Sequence, residues 1–322
     1  MNLKRTFFIF VFLTTLIFSS CTGQKSEKNI SNIQYLENYF TSNEISMPEG
    51  MLYAQNLSSY NDKIYLSGIT STNQPKRYVY SFDTTDKTFT EVNIDTLSDK
   101  YITAMYMNSE QIIIGSENGG VNINGKDVLE LSAGKSARAF YETPDNELIV
   151  ISSDAGNNFS ANIYDNTTYE LKDKLNFDEI CNFEFGTNIL NVHFKDGVFC
   201  VISEKYDGDK RVNDLYIISG KKTIESKHED ILPDTKGYYE KSYFNKRGNL
   251  CIIFRSLSDS SVLSIDELNI SDGTRVNTYE ETFNHITLLT FSYSPEKYDF
   301  LYWEDGKIYG YDADNVKKCE IV

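Results

Sequence analysis

The chain has 322 residues, with 31 Lys plus Arg against 47 Asp plus Glu, for a formal net charge of −16. A polyanion is bound through a basic footprint that releases its counterions, so this charge excludes nucleic acid as the expected partner and equally excludes electrostatic adhesion to anionic lipid. With 23 Tyr, 20 Phe, frequent β-branched residues and almost no apolar spacing of helical period, the composition also excludes a helical bundle.

In chain order, the first element is a charged start, Met1 to Arg5, followed by a largely apolar run from Thr6 to Phe18 and the small residues Ser19-Ser20 before Cys21. The run is short for a bilayer span, and the pattern is that of a secretory signal over residues 1–20. Phe18-Ser19-Ser20-Cys21 resembles the lipobox of bacterial lipoproteins, with Phe18 where that family usually has Leu. The resemblance implies that the Cys21 thiol is acylated and becomes the new N-terminus. Two or three chains of palmitate type would then anchor the protein to a membrane, above the single-chain threshold for stable attachment. The alternative is an ordinary signal peptide with an incidental cysteine. Residues 21–32 are rich in Ser, Lys, Asn and Gln without apolar period and read as a lipidated tether. Residues 33–322 read as one domain, because the chain's five prolines form no cluster that would mark a linker.

Within that domain one pattern recurs, a polar turn followed by an apolar strand. The first apolar positions of the recurring strand are Ile64, Ile112, Leu148, Val198, Leu250 and Phe300. The spacing predicts an all-β chain, a β-propeller of six blades with four antiparallel strands each, with seven blades or a β-sandwich pair as alternatives. The first blade is expected at 51–59, 63–68, 77–83 and 88–94. The interval from Ile112 to Leu148 is short, which predicts clipped loops. The segment from Ile33 to Met47 supplies a further strand that could close the ring beside 316–322.

Several local motifs bear on function. Ile112 to Asn122 resembles the propeller repeat of periplasmic sensor regions in two-component regulators, and Gly119-Gly120 would then serve a tight turn with positive φ. Ser152, Asp154, Gly156 and Phe159 match the Asp-box of sialidase-like and sortilin-like propellers, in which the box is a folding element remote from catalysis. The Phe/Tyr-Arg-Ile-Pro motif of sialidases is absent, and Arg255 lacks the following Ile-Pro. Asp207, Asp209, Asn213 and Asp214 bring oxygen ligands into one hairpin, but Lys210 and Arg211 would repel calcium, and a charged hairpin tip is expected. His193, His228 and His285 share no metal-ligand spacing, so no metal and no cofactor is expected. Tyr302 and Trp303 at a strand end offer an aromatic platform for a sugar or peptide, or pack between blades. Cys181, Cys200, Cys251 and Cys319 permit three disulfide pairings, with buried thiols an equal alternative.

No nucleophile elbow, phosphate loop or dinucleotide fingerprint occurs. The expectation is therefore a non-catalytic, lipid-anchored extracytoplasmic module on the outer face of a bacterial membrane that binds a protein, peptide or glycan. The alternative is an extracellular glycan-cleaving enzyme with carboxylates at the channel mouth, since such a pair leaves no local trace in sequence.

Overall fold

The computed structural model describes residues 51–60, 63–70, 77–83, 85–86, 88, 89–94, 100–232, 237–245, 247–282, 292–294, 298–304, 307–312 and 317–320, with side chains described between 60 and 280. The first sheet consists of β1 (Met51–Tyr60), β2 (Lys63–Thr70), β3 (Arg77–Asp83) and β4 (Phe89–Val92). The second comprises β5 (Ile102–Met107), β6 (Ile112–Ser116), β7 (Gly120–Ile123) and β8 (Lys126–Glu130). The third has β9 (Ser136–Glu142), β10 (Glu147–Ser153), β11 (Phe159–Asp165) and β12 (Leu171–Asn176), followed by the single turn of helix α1 (Phe177–Cys181). The fourth is β13 (Asn188–Lys195), β14 (Val198–Asp207), β15 (Lys210–Ser219) and β16 (Ile224–His228). The fifth is β17 (Gly237–Phe244), β18 (Leu250–Ser256), β19 (Val262–Leu268) and β20 (Arg275–Thr282), and a last sheet holds β21 (Ser292–Ser294), β22 (Tyr298–Glu304), β23 (Lys307–Asp312) and β24 (Lys317–Glu320). Every sheet is an antiparallel meander in chain order. The chain is a β-propeller.

The physical reason lies in the second strand of each sheet, where the recurring apolar positions fall. These strands read as continuous apolar runs because both faces are covered. In β6, Ile114 enters a cluster with Val79, Ile94 and Ile102 of one neighbouring region, while Ile113 enters another with Ala137, Phe140, Leu148 and Val150. In β10, Leu148 and Val150 share that second cluster, whereas Ile149 and Ile151 pack with Phe177, Val192, Phe199 and Val201. In β14 the alternation repeats: Phe199 and Val201 point back, and Cys200 and Ile202 point forward to Leu250, Ile252 and Phe254. A side-chain period of two thus sends successive residues to opposite neighbours, and each sheet shields the next from water. The outer strands are charged and exposed, as in Lys126–Glu130 and Leu171–Asn176, which protects the perimeter edges from pairing with other chains.

The expected count of six full blades is corrected by this packing. Four apolar clusters join five successive sheets, β1 to β20, and in these five every strand has four residues or more. They are the five full blades of the propeller. Among the described residues the last sheet opens on the three-residue β21, which is held to β22 at Ser292↔Leu301 and Ser294↔Tyr298. The apolar repeat registers the second strand of a sheet and cannot report how much of that sheet is completed. The seven-blade and β-sandwich alternatives fall with the same observation, since each sheet is one contiguous meander. The segment 33–47 lies outside the described residues; β24 has β23 as its partner, and β21 lies beside β1.

The short interval between Ile112 and Leu148 is explained by the second blade, whose strands span four to six residues and whose β7–β8 turn is only Asn124-Gly125. Of the two glycines expected in the β6–β7 turn, only Gly119 has positive φ, +82°. A Cβ there would lie 2.9 Å from the Lys135 carbonyl oxygen. Gly120 is an ordinary strand residue. Gly115 has a different reason: its missing Cβ would sit 2.5 Å from the Ala137 Cβ of the next blade. Gly115→Ala is expected to destabilise the protein by about 1–3 kcal/mol, the usual cost of overpacking, read as a lower urea midpoint. An unchanged midpoint would show that the two blades separate without penalty.

Candidate functional site

In an antiparallel four-stranded blade, the connections between the first and second and between the third and fourth strands lie at one end of the ring. Those between the second and third strands, and from one blade to the next, lie at the other. The two ends of this propeller are built differently.

At the first end, carboxylates are saturated by their neighbours. Glu142 accepts hydrogen bonds from the Tyr106 hydroxyl (2.8 Å), Asn108 Nδ2 (2.6 Å) and Asn166 Nδ2 (2.8 Å). Glu267, fully buried, accepts from Asn245 Nδ2 and Asn249 Nδ2 at 2.7 Å each, from the Tyr279 hydroxyl at 2.7 Å and from Arg247 at 3.1 Å. Burial raises its pKa, but these donors together outweigh burial and hold the carboxyl below its ordinary range.

At the second end, large apolar side chains face solvent. Tyr101 precedes β5, Phe185 lies in the α1–β13 connection, Tyr206 near the β14–β15 turn, Tyr238 at the start of β17 and Leu257 just after β18. Phe185 is fully exposed and the other four are 41–64% exposed. The remaining exposed large apolar residues among those described, Leu171, Ile224 and Val276, begin or nearly begin the outer strands β12, β16 and β20 on the perimeter. Arginines stand among the crown residues: Arg77 lies 4.5 Å over the Tyr101 ring, and Arg255 grips Glu240 through two bonds of 3.0 and 2.7 Å.

Backbone bulges shape this end. In each full blade the inner strand has an extra residue near the same height, Gln55, Thr103, Arg138, Leu190 and Glu240, and β1 has a second at Leu52. A bulge re-aims a side chain and turns the strand, which is how Arg138 becomes exposed between the buried Ala137 and half-buried Ala139. Arg138 Nε donates to Ser153 Oγ at 2.7 Å.

Next to Tyr206 lies a hollow of about 470 Å³, lined by the carboxylates of Glu184, Asp207, Asp214, Glu229 and Asp230 and by Lys205 and Lys210. Lys210 pairs with Asp230 at 2.5 Å and Lys205 with Glu184 at 3.4 Å. The buried Asp214 accepts the Asp230 backbone N–H at 3.0 Å and faces Lys227 at 3.4 Å. The expected charged hairpin tip therefore becomes one wall of a concave surface. Among the described residues no cluster of acids, His or Cys has the geometry to hold a metal ion.

Between the two ends, a polar chain crosses three inner strands. The Tyr141 hydroxyl lies 3.3 Å from His193 Nδ1, His193 Nε2 lies 2.6 Å from Ser242 Oγ, and the Tyr239 hydroxyl and Asn191 Nδ2 reach the same oxygen at 2.8 and 3.2 Å. A serine and a histidine in contact resemble a nucleophile and its base, but both are buried and Ser242 Oγ is surrounded by three polar partners. The arrangement ties inner strands together. Burial, and secondarily Lys241, lowers the His193 pKa to about 4, and burial lowers Lys241 to about 8. Lys241→Gln is expected to raise the His193 pKa, and an imidazole NMR titration reads the shift; an unmoved value would show that burial alone sets it.

The residues singled out from sequence are distributed as follows. Ser152, Asp154, Gly156 and Phe159 form the β10–β11 hairpin, at the crown end. Asp154 Oδ1 accepts the backbone N–H groups of Gly156 (2.8 Å) and Asn158 (3.1 Å), Phe159 is buried in an inter-blade cluster, and Ser152 Oγ meets Ser160 Oγ at 3.1 Å. The Asn158 side chain and then these amides hold the Asp154 carboxyl below its usual range. Tyr302 and Trp303 lie in β22 opposite Tyr309 and Ile308, one residue from the β22–β23 turn and hence at the crown end by backbone; their side chains lie outside the described residues. Cys21 also lies outside them. Among the described residues no disulfide joins Cys181, Cys200 and Cys251, and burial pushes the thiols of Cys181 and Cys200 up to about 12. His228 and Ser226 share a strand, with Nε2 and Oγ 3.3 Å apart. The crown and the His193 chain left no trace in sequence, because their members come from turns and strands far apart in the chain.

No family model and no curated protein matches the sequence. Solved structures do resemble it. The β-propeller domain of the Trilobed protease from Pyrococcus furiosus, which has an open velcro topology, is 9% identical, with 84% of this chain and 97% of that chain covered and a TM-score of 0.48. A chain of the Mitotic Checkpoint Complex is 12% identical, with coverages of 86% and 83% and a TM-score of 0.49. Hsv2 of Kluyveromyces lactis is 9% identical, with coverages of 76% and 69% and a TM-score of 0.42. The propeller assignment rests on the sheet order of the chain itself.

Proposed function

We propose that this protein is a membrane-anchored extracytoplasmic lipoprotein whose propeller is a non-catalytic binding or scaffold module, engaging a protein, peptide or glycan through the crown end. The observation that carries this reading is the gathering of Tyr101, Phe185, Tyr206, Tyr238 and Leu257 at one end of the ring. Aromatic side chains with interspersed arginines are the residues that dominate binding interfaces, and a monomer gains nothing by exposing them together. The anchor is supported by the lipobox-like Phe18-Ser19-Ser20-Cys21.

Two measurements test the two halves. Metabolic labelling with radioactive palmitate should mark the wild-type protein and leave Cys21→Ser unlabelled; equal labelling of both refutes the anchor. A photo-crosslinking amino acid placed at position 185 or 238 in living cells should yield adducts, and at position 171 or 276 none. The opposite pattern, or turnover in a glycoside and uronide screen that disappears with Glu240→Gln, replaces the binding reading with another.

A further inference from the structure

We propose that the crown end reads a carboxylate on a partner protein or peptide, and that Arg138 is the residue that receives it. This rests on the binding reading above and specifies the chemistry of what is bound. Beyond Arg5 the chain has six arginines. Four of them face a carboxylate: Arg211 meets Glu204 at 3.1 Å, Arg247 meets Glu267 at 3.1 Å, Arg255 meets Glu240 at 2.7 Å and Arg275 meets Asp266 at 3.5 Å. Arg77 lies over the Tyr101 ring. Arg138 is exposed, and among the described residues it has no ion pair, only the bond from Nε to Ser153 Oγ. In a chain whose acids outnumber its bases 47 to 31, this guanidinium is left uncompensated. It is also held in place, since Ser153 is 1% exposed and fixes the Nε edge. The two Nη groups remain, and they form the fork that grips a carboxylate through two parallel bonds. The nearby Asp154 does not compete for them, because its oxygens take the Gly156 and Asn158 amides and the Asn158 side chain.

The position is built by the backbone. Arg138 is the extra residue between Ala137, opposite Ser152, and Ala139, opposite Ile151. Of the other residues at this height whose side chains are described, Thr103 and Leu190 are uncharged and Glu240 is held by Arg255, so Arg138 supplies the open charge. Its blade stands between the one that Tyr101 precedes and the one that Phe185 precedes, and apolar clusters join it to both. Phe185 and Leu257 add exposed surface with no side-chain donor or acceptor, which suits the apolar side chains of a peptide better than the hydroxyl rim of a sugar. The net charge of −16 opposes an acidic partner at long range, but it is screened beyond about 8 Å at physiological ionic strength, and at contact the guanidinium decides.

The test selects a random dodecapeptide library displayed on phage against the purified full-length chain. The leading peptide is then synthesised in two forms, one with its acidic residue and one with the matching amide, and binding is read by fluorescence anisotropy. Wild type is expected to enrich peptides with Asp or Glu beside apolar or aromatic residues, and to bind the acid form about tenfold more tightly than the amide form. Arg138→Gln should bind the two forms equally, and Arg138→Lys, which keeps the charge without the fork, should recover only part of the difference. Phe185→Ser with Tyr238→Ser should weaken both forms by about tenfold. Lys221→Gln, which removes an exposed positive charge at the opposite end of the ring, should change nothing. All four positions are exposed, and unchanged urea midpoints confirm the fold of each variant. A leading peptide without an acid, an acid preference that survives Arg138→Gln, or a loss from Lys221→Gln equal to that from Arg138→Gln overturns the proposal, and the binding end still stands if the Phe185 and Tyr238 variant weakens that peptide. Trigalacturonate binding that exceeds the best peptide's and is lost in Arg138→Gln also overturns it, by moving the carboxylate to a glycan. If neither peptide nor trigalacturonate binding depends on Phe185 and Tyr238, both readings fall.

Discussion

Replacing Glu267 by alanine is expected to destabilise the protein by about 3–5 kcal/mol, the cost of breaking a buried charged network by removing one member. The carboxylate is fully buried and meets four donors, from Asn245, Asn249, Tyr279 and Arg247. Truncation leaves the two amides and the hydroxyl without their acceptor and opens a cavity, and hydrogen bonds to a charged group are individually worth about 1.5–3 kcal/mol. Glu267→Gln keeps the volume but turns an N–H₂ toward donors, so it should recover little of the loss. Domains of this kind have only about 5–15 kcal/mol in total, so either variant should unfold at a markedly lower urea concentration. The sign of the pH dependence follows from the depressed folded-state pKa: the stabilisation is complete above the ordinary glutamate range and is lost as pH falls through the lower, folded value. A midpoint within error of wild type for both variants would show that the network contributes nothing net.

The second large effect is the acid response of His193. Its folded pKa of about 4 lies below an unfolded value of about 6.5, so the unfolded state takes up a proton first. The stability that the neutral ring preserves is complete above pH 6.5 and falls away as pH drops from there through 4. Between pH 7 and 5 this group alone should remove about 2 kcal/mol, and about 3 kcal/mol over the whole window. His193→Gln retains hydrogen-bonding capacity toward Ser242 and Tyr141 but cannot titrate. Its unfolding free energy should therefore be lower than wild type at pH 7 and less steep between pH 7 and 5 by that amount. Identical slopes for the two proteins would mean that the ring is already protonated, or accessible to protons, in the folded state.

The His193 effect follows from the architecture that packs inner strands around a common axis. His193 reaches Ser242 across forty-nine positions of sequence and Tyr141 across fifty-two, because neighbouring inner strands belong to successive blades. Glu267 is fixed more locally, by the turn that joins β17 to β18 and by the adjacent strand β20. The end of the ring opposite the crown carries the hydrogen-bonded carboxylates Glu142 and Glu267. The exposed side chains of Tyr101, Phe185, Tyr206, Tyr238 and Leu257 gather at the crown end, where binding is proposed.

The strands and their order were legible in the chain itself. Ile64, Ile112, Leu148, Val198, Leu250 and Phe300 all fall in the second strand of a sheet, and the first blade was placed to within a few residues, because burial on both faces demands an uninterrupted apolar run that no surface strand has. The Asp154 turn was legible too, since an Asx turn is a local interaction spanning four residues. The number of full blades was not, because an apolar repeat records that a strand exists and says nothing of how much of its sheet is completed. Nor was the crown: Tyr101, Phe185, Tyr206, Tyr238 and Leu257 are ordinary loop or strand-end residues until the meander turns all their positions to one end. Alternation and turn chemistry act over a few residues and can be read from them, whereas convergence on one face is a property of the closed packing of blades, which only the tertiary structure decides.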